Sequence, residues 1–118
     1  MIHRNYGSIK FLQFDLLKNY PFIRHGCFYG ADFCGSESSA HIKDITSLLE
    51  VDKMIRANQT HSSNIRIIAP TNKYEITMDS CDGLVTNQVA QALLICHADC
   101  QAAIFFDPKN RVVANIHC

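Results

Sequence analysis

The chain has 118 residues, 47% of them apolar, and eleven Lys and Arg balance eleven Asp and Glu for a formal net charge of zero. This length sets the expectation of one domain over 1–118, or of the N-terminal portion of a larger one. The balance excludes a basic nucleic-acid stripe and an acidic solvating tail, and no apolar run approaches the roughly 20 residues needed to span a bilayer.

Residues 8–17 partly alternate and predict a strand. Phe22-Ile23-Arg24 follows Pro21 as a short extended piece, and the Gly- and Ser-rich residues 30–39 read as a loop. Ser38 or Ser39 then stands as an N-cap. Ile42, Ile45, Leu48 and Leu49 recur at helical spacing, so 40–50 is an amphipathic helix with Lys43, Asp44 and Ser47 on its solvated face. Met54–Ala57 and Ile65–Ile68 read as strands on either side of Asn-Gln-Thr-His-Ser-Ser-Asn. Pro70–Lys73 is a turn. Asp79-Ser-Cys-Asp-Gly83 is a second turn, leading into Leu84-Val85-Thr86. Three β-rich runs follow at 92–97, 102–106 and 111–117, the last two joined by Asp107-Pro-Lys-Asn110 as a hairpin connection. One helix among many strands predicts a mixed α+β architecture and not a doubly wound sheet.

The N-terminus lacks the long apolar core and small-residue cleavage site of a secretory signal, so a cytoplasmic location is expected. There the six cysteines would be free thiols and not a disulfide framework. No Cys-x-x-Cys pair is present, which argues against a zinc ribbon or a thioredoxin-like motif.

Polar residues stand out in Leu93-Leu-Ile-Cys-His-Ala-Asp-Cys-Gln-Ala-Ala-Ile-Phe-Phe-Asp107, where His97, Asp99 and Cys100 interrupt an apolar stretch. With His61 and His117, Cys100 makes a three-ligand set of two imidazoles and one thiolate. Such a set leaves a fourth zinc position open to water or substrate. An alternative uses Cys100 as a nucleophile with His117 as its base. Asp82, placed before Gly83, reads as turn chemistry. Asp99 and Cys100, read on one strand, should face opposite ways, which leaves Cys96, His97 and Asp99 in supporting roles. Arg24 is a candidate anion contact.

Three stretches together, Gln59-Thr-His-Ser-Ser-Asn-Ile-Arg-Ile-Ile68, Cys81-Asp-Gly-Leu-Val-Thr-Asn87 and Ala98-Asp-Cys…Ile-His-Cys118, resemble the family of multicopper polyphenol oxidase or laccase domain proteins, also called YfiH-like. Its members are regarded as purine nucleoside phosphorylases that also deaminate adenosine. The resemblance covers residues 59–118 well and 1–58 loosely, through Arg24-His-Gly-Cys-Phe28 and the helix. It implies a four-layer α/β/β/α fold with mixed sheets, of which this chain holds the N-terminal part. It implies zinc, in preference to copper, on His61, Cys100 and His117, with the same three residues catalytic. Arg24 and Gln59 become candidate substrate contacts. The implied partners are a purine nucleoside (adenosine, inosine or methylthioadenosine) and phosphate. In the family, the last histidine precedes a small residue and Gly-Trp-Arg-Gly. Here Cys118 takes the small-residue place and the chain ends, so a truncation at about half length is expected. The alternatives are a metal-free Cys–His hydrolase or amidase, which a remote relation to bacterial toxin hydrolases keeps open, a copper-dependent phenol oxidase, and an inactive fragment serving as an interaction module.

Overall fold

The structure, a computed structural model, describes residues 1–29 and 39–118. The chain divides into two compact units, Met1–Glu50 and Val51–Cys118.

In the first unit, β1 (Ile2–Tyr6) and β2 (Ile9–Gln13) form an antiparallel hairpin with Tyr6 opposite Ile9. Gly7 supplies the left-handed φ of +59° that the two-residue turn needs. β3 (Cys27–Phe28) adds antiparallel to β2, with Leu12 opposite Cys27. Ile9 and Phe11 point inward, as alternation requires. The strand expected over 8–17 stops at Gln13, because the adjacent Leu16 and Leu17 break the two-residue period. Asp15–Asn19 instead make a 3-10 turn in which the Leu17 amide donates to the Phe14 carbonyl. Phe22-Ile23-Arg24 forms no strand. The β1 strand was not foreseen, since His3, Arg4 and Asn5 carry no apolar alternation.

His25 is buried in this unit, stacked on Phe14. Its Nε2 accepts the Phe14 amide proton at 2.8 Å, and its Nδ1 has no hydrogen-bond partner among the described residues. Burial lowers its pKa from the ordinary value. The unfolded chain therefore binds this proton more readily. The neutral ring's contribution to stability is complete above the unfolded value of about 6.5 and is lost as pH falls below it. Melting curves between pH 8 and 5.5 are expected to drop further for the native chain than for His25→Gln, which cannot titrate. Parallel curves would refute the assignment.

The helix α1 spans Ser39–Leu49, close to expectation. Ile42, Ile45 and Leu49 are buried while Lys43, Asp44 and Ser47 are exposed. Of the loop expected over 30–39, residues 30–38 lie outside the described residues, as does Ser38 as an N-cap; Ser39 is the first residue of the helix and not its cap. Among the described residues no helix is long and apolar enough to cross a membrane.

The second unit contains β4 (Lys53–Ala57), β5 (Ile65–Ile67), β6 (Glu75–Met78), β7 (Gly83–Thr86), β8 (Gln91–Leu94), β9 (Ala102–Asp107) and β10 (Val112–His117). They make two sheets. One has the order β6-β4-β8 and is all parallel; the other is β5-β7-β10-β9 and is mixed. The sheets face each other across Ile55, Ala57, Leu84, Cys81, Ile68 and Ile95, with Ile76, Met78, Leu93 and Ala102 packed against them. Each fully buried aliphatic side chain contributes about 1.5–3 kcal/mol here. Asn115 Nδ2 donates to the Leu93 carbonyl at 3.1 Å and ties one sheet to the other. On the outer face a Cβ at Gly83 would lie 2.7 Å from Ile116 Cδ1 and 3.0 Å from Ile65 Cγ1. Only glycine lets those two side chains close over β7.

The hairpin at 107–110 forms as expected. Asp107 Oδ1 accepts from the Lys109 and Asn110 amides at 2.9 and 3.1 Å. By contrast, β8 ends at Leu94 and not at 97, and β6 is a strand that the sequence reading does not include, although Glu75-Ile76-Thr77-Met78 alternates polar and apolar.

This topology collects chain ends. β4 and β8 run the same way, so the segments after Ala57 and Leu94 leave at one end of the unit. β10 finishes and β7 starts at that same end, where the His117 amide donates to the Asp82 carbonyl at 2.7 Å.

Candidate metal site

His61, Cys100 and His117 meet there. Their ligand atoms, two imidazole nitrogens and a thiol sulfur, all lie within 4.8 Å of one another. A tetrahedral zinc with bonds of about 2.0–2.3 Å holds its donors about 3.4–3.7 Å apart, so side-chain adjustment of about an ångström would close the set. The donors fit zinc in type and number, and they leave one coordination position to a fourth group.

Each ligand has its own support. His117 is the last residue of β10 and is buried. Its Nδ1 lies 2.8 Å from Asp82 Oδ2. A carboxylate at that distance fixes the proton on Nδ1, which leaves Nε2 as the free donor. His61 sits on the exposed loop between β4 and β5 in the left-handed region, at φ 57°. That conformation costs a non-glycine residue of order 1 kcal/mol. The His61 ring stands edge-on to the His117 ring, centroids 5.2 Å apart. Cys100 is half-buried in the bend between β8 and β9. Gln59 holds the start of that bend: its Nε2 donates to the Cys96 carbonyl at 2.7 Å and its Oε1 accepts the Cys96 amide at 2.8 Å.

Asp82 organises the centre. Its carboxylate accepts from the amides of Thr60, His61 and Ser62 at 3.0, 3.1 and 2.8 Å, and from the Ser62 hydroxyl at 2.9 Å. With His117 it braces two of the three candidate ligands, and it is only 2% exposed. Burial alone would raise its pKa. The Ser62 amide, His117, the Thr60 amide and the Ser62 hydroxyl outweigh that and hold the carboxyl well below the usual carboxylate range. The loop is pinned a second time by Asn64, whose carbonyl accepts the Asp82 and Gly83 amides and whose Nδ2 donates to the Ser80 carbonyl.

Two sequence expectations change. Asp82 is more than turn chemistry: its partners come from residues 20 to 35 positions away. Asp-Gly at a strand start looks the same with or without them. Asp99 and Cys100 do not alternate on a strand, because 95–101 is irregular backbone. Their opposite facing does not follow from a pleat, and Asp99 is exposed. Gln59 spends its carboxamide on Cys96, which makes it a clamp on the Cys100 loop. Arg24 lies in the first unit, where it donates to Glu50 Oε2 at 2.6 Å and to the Pro21 carbonyl at 2.9 Å. Among the other cysteines, Cys81 is fully buried and donates to the Met78 carbonyl, and burial raises its pKa. Cys81, Cys100 and Cys118 are free thiols.

Comparison with known proteins gives the class to which this two-sheet unit belongs. Residues 36–118 match the family described as multi-copper polyphenol oxidoreductase laccase, and the chain belongs to it. The relatives include the purine nucleoside phosphorylase YlmD of Bacillus subtilis (strain 168), 26% identical over 74 residues, which are 58% of this chain and 27% of that protein. A solved structure, the Bacillus licheniformis hypothetical protein YfiH, superposes with a TM-score of 0.63 at 23% identity, covering 70% of this chain and 34% of that one. The fold is thus the α+β arrangement of that structure, in its N-terminal portion. The chain spans about a quarter to a third of the length of these relatives.

Proposed function

We propose that the chain carries the metal-binding part of a zinc-dependent purine nucleoside phosphorylase, acting in the cytoplasm on adenosine, inosine and methylthioadenosine, with adenosine deamination as a second reaction. The observation that carries this reading is the His61–Cys100–His117 cluster with its Asp82 brace, in a family with a relative named a purine nucleoside phosphorylase. One thiolate with two imidazoles favours zinc over copper as the resident ion, since oxidase chemistry on copper needs further histidine-rich centres. A zinc held there supplies Lewis acidity at its open position.

The chain's own residues supply orientation and charge. Asp82 keeps the His117 proton on Nδ1 and balances positive charge around the cluster. The Cys96 bonds of Gln59 set the path of the loop that presents Cys100. His61 is the exposed member of the cluster and would meet an arriving nucleoside first. In phosphorolysis a phosphate oxygen bonds to ribose C1′ while the C1′–N bond breaks. The electron pair leaves on the purine, which takes a proton and departs as the free base. In deamination, water adds at the amino-bearing purine carbon and ammonia leaves.

Incubation of the chain with each nucleoside and phosphate, followed by chromatography, tests the reading. Free base is expected with ribose 1-phosphate from adenosine and inosine and with 5-methylthioribose 1-phosphate from methylthioadenosine, and all should vanish with a chelator or in His61→Ala. Absence of free base and of inosine would overturn it. A second reading rests on one specific geometry: Cys100, His117 and Asp82 also stand in the order of a nucleophile–base–orienter triad. Hydrolysis that survives the chelator and is lost in Cys100→Ala would select it.

A further inference from the structure

The second unit has another concave polar site, at its opposite end. A cavity of about 320 Å³ is lined by Lys53, Thr71, Asn72, Gln88 and Gln91, together with Pro70 and Val89. Lys53 and Gln91 pair with each other as the first residues of β4 and β8. His61 and Cys100 follow the last residues of those strands, and β4 alone puts about 13 Å between Lys53 and Ala57. The cavity is therefore separate from the metal site.

Its chemistry is that of a donor set. Lys53 is the one charged side chain in the lining, and among the described residues no carboxylate pairs with it. Gln91 is only 8% exposed. Its Oε1 is taken by the Thr86 hydroxyl at 3.1 Å, and its Nε2 makes no hydrogen bond among the described residues. A carboxamide pinned through its oxygen offers its NH₂ group to the cavity it lines. The Thr71 hydroxyl accepts the Lys73 amide at 3.1 Å, which leaves its proton to donate. Asn72 adds a second carboxamide. An ammonium, a hydroxyl and carboxamide NH₂ groups with no competing carboxylate suit an anion with several acceptor oxygens. The volume exceeds that of one tetrahedral oxyanion and leaves space for a small organic portion.

We propose that this cavity binds a small phosphomonoester through Lys53 and Gln91, independently of the metal site. The test is a titration of the ¹⁵N-labelled chain with glycerol 3-phosphate at fixed ionic strength, followed by amide chemical shifts, with inorganic phosphate as a second arm. Saturable shifts are expected at Thr71, Asn72, Gln88 and Gln91, with Thr60–Ser62 and Cys100 unmoved. Losing a charge-assisted contact weakens binding by about tenfold or more. Lys53→Met, at a half-exposed strand start where the apolar stem is kept, should show that loss. His61→Ala should leave affinity unchanged. Inorganic phosphate should bind at the same residues and no more tightly than the ester. Shifts that do not saturate, that centre on the metal-site amides, or that persist at full affinity in Lys53→Met would overturn the proposal. Tighter binding of inorganic phosphate would overturn its ester part.

Discussion

Zinc added to the purified chain is expected to bind at about one ion per chain, and the ion should be lost in His61→Ala and in Cys100→Ala. The donor set leaves no redundancy: each substitution reduces three protein ligands to two, and no fourth His, Cys or carboxylate joins the cluster among the described residues. The loss should exceed the 10–100-fold drop in affinity that removal of an outer partner produces. Competition against a coloured chelator would measure it, with native mass spectrometry giving the stoichiometry. Binding should also weaken as pH falls, because the thiol and both imidazoles must release protons before they bind a metal. Both alanine variants should keep the fold, since His61 is exposed and Cys100 is half-buried outside the packed core. Full zinc occupancy in either variant would sink the assignment. A preference for copper over zinc at matched concentrations would return attention to oxidase chemistry.

The second large effect is expected at Asp82, which touches no metal. Asp82→Ala removes the acceptor for the Thr60, His61 and Ser62 amides and for the Ser62 hydroxyl, and it frees His117 Nδ1. The His61 loop then loses what holds it in its left-handed turn, and the His117 tautomer is no longer fixed. A fall of about 10–100-fold in zinc affinity is expected, together with a lower melting temperature in the metal-free state. The cobalt-substituted protein gives a readout that destabilisation alone would not move. Its visible spectrum reports coordination geometry, so a changed band shape in the folded variant marks altered ligand orientation.

The acid limb has a defined sign. The folded carboxyl titrates below its unfolded value of about 3.9. Its contribution is therefore complete above that value and is lost as pH falls below it. Asp82→Asn should be less stable at neutral pH and should show a shallower loss between about pH 4 and pH 2 than the native chain. Equal slopes would show that the carboxylate is not the group that couples folding to protons in this range.

The sequence by itself determined much of this protein. β-rich apolar runs mark β9 and β10, Asp107 and Asn110 mark the turn between them, and the spacing of Ile42, Ile45 and Leu49 marks α1. These elements were legible because period and turn chemistry are local. The strand β1 was not, because a polar strand becomes one only when a neighbour takes its hydrogen bonds. His61, Cys100 and His117 were singled out by residue type and by family resemblance, but their proximity was decided by tertiary structure alone. Parallel pairing of β4 with β8, and antiparallel pairing of β7 with β10, bring to one end residues that lie far apart in the chain. Asp82 shows the difference most clearly. Locally it is an aspartate before a glycine. Only the fold surrounds it with four donors from the His61 loop and the ring of His117, which turns a turn residue into the anion that braces the site.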